Sequence, residues 1–198
     1  MSRFIETIQL LKGKLMNLDF HQERFERTRS EAMGLKKHPL LSEILQVPKG
    51  LEQGKLKCRV VYEKEILRIE YEPYLIQQVR SLKLVYPEFI EYGFKYEDRS
   101  ELEKLFRLRK QCDDILIVKN NCITDSFYAN VVLWNGVNWE TPDTPLLPGT
   151  MRASLLKKGL ITESRIWVDD LAGYQKLRLI NAMLDLENTV DIPINSIH

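Results

Sequence analysis

An arginine and a histidine on one face of a helix form the first chemical feature of the sequence. Positions i, i+3, i+4, i+7 and i+11 of that helix hold His21, Arg24, Phe25, Thr28 and Ala32. Phe25 and Ala32 predict that this face is buried. A buried guanidinium requires an anion, which is either a carboxylate of the same chain or a bound phosphate. The spacing alone favours an internal arginine–glutamate pair.

Two further charged side chains lie in apolar surroundings. Arg59 stands in the predicted strand 57–62, where alternation places it on the face that carries Lys57 and Val61. It could bind a substrate carboxylate, although solvent exposure is commoner for an arginine in a strand. Asp125 is expected in a turn between apolar strands, where it caps the turn or pairs with a protonated ring nitrogen.

Lys95 and the segment 146–152 offer an amine and an anion site. Lys95 stands between Phe94 and Tyr96, and a lysine fixed among aromatic rings can act as a nucleophile. Taken alone, it is more simply interpreted as an exposed loop lysine. Segment 146–152 leads into a predicted helix, whose N-terminal amides and dipole suit a phosphate, and Thr150 adds a hydroxyl. Because many helices begin in this way, the signal is weak by itself.

Composition disfavours several other classes of protein. The chain has 29 Lys+Arg against 28 Asp+Glu, and no basic stripe predicts nucleic-acid binding. No apolar run is long enough to span a membrane. The three histidines lack metal-ligand spacing, and three widely spaced cysteines indicate reduced thiols in a cytosol. We therefore expect a cytoplasmic protein with no metal and no nucleic-acid or membrane partner.

The elements that must position these residues divide into two predicted domains. Residues 1–90 combine mostly strands with two helices, as in an α+β domain. Residues 91–198 contain further strands, a helix with Asp98 as its predicted N-cap, and a helix that begins near Met151. The expected fold class is α+β or mixed α/β. The boundary assigns Lys95 to the C-terminal domain.

Several short segments, taken in order, resemble the class IV family of pyridoxal-phosphate enzymes. The opening strand and turn, the His-x-x-Arg helix and the Lys-x-x-Asp-Arg segment resemble the first half of the family pattern. The Asp-Ser segment followed by Asn-apolar-apolar, the Thr-Pro pair and the Leu-Pro-Gly turn resemble the second half. Each segment is short, but their order and spacing together are specific. The matching segments are 4–8, 13–14, 21–25, 94–99, 123–132, 141–142 and 147–152.

The resemblance implies a two-domain fold with pyridoxal phosphate between the domains, in a homodimer. By position, Lys95 is expected to bond to the cofactor and to move the substrate proton. Asp125 is expected to keep the ring nitrogen protonated, so that the ring withdraws electrons. Arg59 is the candidate for the substrate carboxylate. The phosphate is expected to be held by Arg24, by the backbone amides of Thr150 and Met151, and by Asn181 and Ala182.

Two positions depart from the family pattern. The family acid is usually glutamate, and Asp125 is one methylene shorter, so the ring must lie closer or a water must mediate. The family threonine after Leu-Pro-Gly-x is Met151, whose missing hydroxyl Thr150 can replace. The chain is also shorter than typical members.

The resemblance leaves three functions open. A lyase would convert 4-amino-4-deoxychorismate to 4-aminobenzoate and pyruvate, a reaction of folate biosynthesis. An aminotransferase would act on a branched-chain or D-amino acid. A degenerate member would keep the fold without catalysis. Asn181-Ala182-Met183 resembles the Asn-Ala-apolar segment of the lyases, and the short chain resembles lyase-like domains, so the sequence favours the lyase.

Overall fold

The computed structural model describes residues 2–51 and 54–198, which form two compact units. The first unit comprises the chain up to Ile76 together with Phe94–Asp98. The second comprises Gln77–Gly93 and Arg99–His198. The contacts thus group Lys95 with the first unit, whereas the sequence boundary at residue 90 assigned it to the C-terminal part. The division into folding domains stays a prediction.

The first unit is a four-stranded antiparallel sheet with helix α1 on one face. The strand order is β2-β1-β3-β4. Phe25 of α1 packs against Phe4 and Ile8 of β1, and Tyr62 closes the same core from β3. Ala32, which was predicted on the buried face, is the C-cap of α1 and is exposed. The elements are β1 Phe4–Leu11, β2 Lys14–Leu15, α1 Leu18–Glu31, α2 Leu41–Ile44, β3 Lys55–Tyr62 and β4 Ile66–Pro73.

The segment around Lys95 is fixed to the edge of β1. The Ile5 amide donates a hydrogen bond of 2.9 Å to the Lys95 carbonyl, and the Glu97 amide donates one of 2.8 Å to the Arg3 carbonyl. The ring of Phe4 packs beside that of Tyr96, with 5.1 Å between the centroids. The backbone at Lys95 and Glu97 is therefore held against β1 by hydrogen bonds.

The second unit is built on a larger mixed sheet. Its main strand order is β10-β9-β8-β7-β6-β5, and β11 pairs with both β8 and β12. The pairs β5–β6 and β9–β10 are parallel, and the others are antiparallel. The elements are β5 Leu82–Val85, α3 Ser100–Phe106, β6 Asp114–Lys119, β7 Cys122–Ser126, β8 Asn130–Trp134, β9 Trp139–Pro142, α4 Thr150–Lys157, β10 Thr162–Ser164, β11 Lys176–Ile180 and β12 Ile192–Pro193.

The mixed fold class is confirmed, but two further local predictions are wrong, besides the burial of Ala32. Asp125 lies inside the buried strand β7 rather than in a turn. Polar residues beside Asp125 are typical of turns, but here their hydrogen bonds are made within the sheet. The Thr124 hydroxyl, for example, donates to the Ile117 carbonyl at 2.8 Å. Helix α3 has Arg99 rather than Asp98 as its N-cap, without a capping side chain. None of the described helices is long and apolar enough to cross a membrane.

A buried charged cluster fastens α1 to β1. Arg24 donates to Glu6 through Nε (2.9 Å) and Nη2 (2.6 Å), and His21 Nδ1 lies 2.6 Å from Glu6 Oε2. Burial raises the pKa of Glu6, but the charge of Arg24 and the hydrogen bonds from His21 and Arg24 outweigh it and lower the pKa to about 2. Burial lowers the pKa of His21, and because the Glu6 carboxylate is an acceptor, His21 Nδ1 donates the hydrogen bond between them. The predicted arginine–glutamate pair is therefore present.

We expect Glu6→Gln to destabilise the protein by about 3–5 kcal/mol at pH 7, because it leaves a buried guanidinium without its anion. Urea unfolding measures this loss. Glu101→Gln is the control, since Glu101 pairs with Lys104 on the surface and its loss should cost less than about 1 kcal/mol. Because the pKa of Glu6 is lowered, the wild type should also lose stability relative to Glu6→Gln as pH falls from about 4.5 to 2. Equal effects of the two substitutions would contradict this role.

Candidate active site

Two of the predicted site residues, Lys95 and Arg24, lie close together in the first unit. Arg24 is buried, and Lys95 is half-buried. Burial is the main cause of the lowered pKa of His21, and the positive charges of Arg24 and Lys95 act in the same direction. The Lys95 amine is thus within electrostatic range of the Glu6–His21–Arg24 cluster.

Arg59 lies beside the Lys95 segment, on the sheet face opposite α1. Its Nη2 is 3.4 Å from Glu97 Oε1, and Glu97 also contacts Arg68 at 3.1 Å and Arg3 at 3.7 Å. The Arg59 side chain is 30% exposed. Arg59 is therefore partly exposed to solvent and pairs with Glu97, which lies two residues after Lys95. The assignment of Arg59 to a substrate carboxylate stays a prediction.

Asp125 in the second unit is a buried carboxyl group with two strong donors. Oδ1 accepts from Asn130 Nδ2 and Oδ2 accepts from the Leu147 amide, both at 2.9 Å. Burial raises the pKa of Asp125 to about 6, although the Leu147 amide, the Asn130 amide and the charge of Arg152 act to lower it. A carboxylate that burial disfavours gains most from a neighbouring cation. Asp125 therefore suits a protonated ring nitrogen.

Four of the five residues predicted to hold a phosphate lie in the second unit, two at the start of α4 and two after β11. The fifth, Arg24, lies in the first unit and is paired with Glu6, and its phosphate role stays a prediction. Helix α4 begins at Thr150, and the preceding Gly149 supplies no capping side chain. Thr150 and Met151 are both buried. Met151 belongs to the same buried apolar cluster as Ile180, the last residue of β11. The first turn of α4 therefore lies next to the strand that leads into Asn181.

Asn181 and Ala182 form the tight turn that follows β11. Asn181 Oδ1 accepts from the Met183 amide at 2.8 Å, and the backbones of Asn181 and Leu184 exchange two hydrogen bonds of 2.9 Å. This side-chain bond fixes the turn locally. The phosphate-binding roles of Asn181, Ala182, Thr150 and Met151 stay predictions.

Two residues contact this site that sequence reasoning did not single out. Asn130 bonds to Asp125, and Arg152 contributes a positive charge that lowers the pKa of Asp125. Both are buried polar residues. Asn130 opens an apolar strand, and Arg152 lies in the first turn of α4 directly after the buried Met151. A polar residue beside apolar ones was the sequence signal for both, because a buried polar side chain must have a hydrogen-bond or charge partner.

Comparison with known proteins identifies the family. The family profile described as "Amino-transferase class IV" matches residues 97–187. A protein of Haemophilus influenzae described only as uncharacterised is 38% identical over 180 residues, which cover 90% of this chain and 96% of its own length. A crystal structure from Haemophilus somnus, provisionally described as a 4-amino-4-deoxychorismate lyase, is 32% identical with a TM-score of 0.87. The chain belongs to the class IV aminotransferase family.

The match to the Haemophilus somnus structure covers 94% of this chain and 98% of that one, so the similarity extends over both units. The pyridoxal-phosphate-bound form of a hypothetical aminotransferase from Mycobacterium tuberculosis has a TM-score of 0.76 at 15% identity, covering 96% and 80% of the two chains, and shows the shared fold. As a class IV family member, the protein is an enzyme of the pyridoxal-phosphate-dependent aminotransferase and lyase group.

The raised pKa of Asp125 predicts a pH-dependent stability of the protein without cofactor. An acid whose pKa is higher in the folded state binds more protons there, so it reduces stability as pH rises from about 4 to 7. A shift of about two pKa units corresponds to about 3 kcal/mol. The stability of the wild type relative to Asp125→Asn should fall by about this amount over that range, as measured by urea unfolding.

Asp113, an exposed carboxylate directly before β6, provides the control for this measurement. Backbone hydrogen bonds from Arg80 and Ser81 lower its pKa, with the largest effect from Arg80. The stability difference between the wild type and Asp113→Asn should therefore be level from pH 5 to 7. Below pH 4 the wild type should lose its advantage. A wild-type–Asp125→Asn difference that is constant with pH would show that Asp125 ionises normally.

Proposed function

We propose that the protein is a lyase that converts 4-amino-4-deoxychorismate to 4-aminobenzoate and pyruvate. The observation that carries this proposal is the 32% identity, over nearly the whole of both chains, to the Haemophilus somnus protein provisionally described with that activity. The Asn-Ala-Met turn at 181–183 supports it, because this segment resembles that of the lyases. We further propose a cytoplasmic homodimer, as the family resemblance implies.

The residues of the chain fit pyridoxal phosphate as the cofactor of this enzyme. Asp125 is a buried carboxyl group that a cation would stabilise, and α4 begins without a capping side chain. When bound, the cofactor supplies an electron sink for the carbon that carries the substrate amine. In this proposal Arg24, Thr150, Met151, Asn181 and Ala182 hold its phosphate, and Asp125 keeps its ring nitrogen protonated.

Lys95 is the proposed catalytic residue. Its amine would hold the cofactor until the substrate amine displaces it. The freed amine would then take the proton from the substrate carbon that bears the amino group and would return a proton to the departing three-carbon group. Loss of the three-carbon side chain as pyruvate makes the substrate ring aromatic. Arg59, on the sheet beside the Lys95 segment, is proposed to bind a substrate carboxylate.

The cofactor assignment predicts a visible absorption band when pyridoxal phosphate is added to the purified protein. Borohydride should bleach the band and leave the cofactor covalently attached to the peptide that contains Lys95, as mass spectrometry can show. Lys95→Ala should lack both signals, whereas Lys104→Ala, which removes an exposed lysine, should keep them. A wild-type protein without a band after addition of cofactor would point to the degenerate alternative.

The lyase assignment predicts equal amounts of 4-aminobenzoate and pyruvate from 4-amino-4-deoxychorismate, without any added keto acid. A coupled assay for pyruvate and fluorescence detection of 4-aminobenzoate measure the two products. An aminotransferase would share the first proton transfer, but it would release keto acid beyond a single turnover only with an acceptor present. Turnover of a branched-chain or D-amino acid that depends on an acceptor would therefore overturn the lyase in favour of the aminotransferase.

A further inference from the structure

The side chains of Asp125 and Asn130 together bind both backbone polar groups of one residue, Leu147, in an arrangement that we call the Asp125–Asn130 clamp. The Leu147 amide donates to Asp125 Oδ2 at 2.9 Å. The Asn130 side-chain amide donates to the Leu147 carbonyl and to Asp125 Oδ1, also at 2.9 Å each. Three hydrogen bonds thus close a loop through Asp125, Asn130 and Leu147.

The clamp joins two separate parts of the second unit. Asp125 and Asn130 face each other across the β7–β8 pair. Leu147 lies three residues before the start of α4. Because both polar groups of the Leu147 backbone are engaged, the position of the Asp125 carboxylate is tied to the turn that enters α4.

Gly149 shows how closely this turn approaches Asn130. A β-carbon added at Gly149 would lie 2.0 Å from Asn130 Oδ1, far inside van der Waals contact. The backbone of Gly149 has φ −77°, which any residue can adopt, so the contact alone calls for glycine here. The glycine of the Leu-Pro-Gly pattern thus leaves the space that the Asn130 side chain occupies.

We propose that Asn130 is a positioning residue that holds the Asp125 carboxylate at a fixed separation from the first turn of α4. The proposal rests on the proposed function, in which these two places hold the ring nitrogen and the phosphate of the cofactor. One side-chain amide would then set the spacing between groups at opposite ends of the ligand. Such a spacing matters because binding groups act fully only when they are held in the productive geometry.

The first experiment measures pyridoxal-phosphate affinity by absorbance titration of the apoprotein. Asn130→Ala removes a hydrogen bond to a buried carboxylate and should weaken cofactor binding roughly ten- to hundredfold. It should also move the pH at which the spectrum of the bound cofactor changes, because Asp125 loses a donor. In the apoprotein, amide exchange of the segment 147–151 should become faster.

A double-mutant cycle tests whether Gly149 and Asn130 act as one unit. Gly149→Ala should weaken cofactor binding because the new methyl group displaces Asn130. The double variant should bind no more weakly than Asn130→Ala alone, since the methyl group then occupies space that the asparagine has left. Additive losses would contradict the coupling. The same cycle can be measured by urea unfolding of the apoprotein.

Asn135→Ala separates positioning from mere stability. Asn135 stabilises the turn after β8, where its Oδ1 accepts from the amides of Val137 and Asn138. This variant should lose stability while its cofactor affinity and spectral pH profile stay at wild-type values. If the wild type binds the cofactor and Asn130→Ala binds it equally well, the positioning role of Asn130 is overturned and the proposed function stands. If wild type binds none, the proposed function fails and the inference with it.

Discussion

A carboxylate removed from water must find compensating charge or hydrogen bonds, and this requirement organises both units of the protein. In the first unit Glu6 is compensated by the Arg24 guanidinium and by His21, and its pKa is lowered to about 2. In the second unit Asp125 has two amide donors and a more distant charge, and its pKa is raised to about 6. Both groups are buried, and the difference lies in the strength of their partners.

This difference separates a structural carboxylate from one that is available for chemistry. The charges of Glu6 and Arg24 neutralise each other. The pair links α1 to β1 and holds the guanidinium in place. The partners of Asp125 do not fully offset the cost of burying its charge, so a cationic ligand would stabilise the carboxylate. Arg24 thus has a structural partner in addition to its proposed role at the phosphate, whereas Asp125 has only its proposed role at the ring nitrogen.

Positioning in the second unit is achieved by short-range polar contacts rather than by apolar packing alone. The Asp125–Asn130 clamp connects a strand pair to the turn before α4, and Asn181 fixes the turn after β11 through its own side chain. Met151 at the start of α4 and Ile180 at the end of β11 belong to one buried apolar cluster. Family membership gives this arrangement a functional context, because the same segments carry the resemblance in the sequence.

The sequence by itself determined the family, the mixed fold class and most strands and helices, because hydrophobic alternation and glycine positions act locally. It also predicted that Arg24 would be buried with an anion. Only the tertiary structure decided that the anion is Glu6, that Asp125 lies in a strand, that Lys95 packs with the first unit, and that Asn130 binds Leu147. These facts depend on contacts between residues far apart in the chain, and no local pattern specifies which distant partner satisfies a buried polar group.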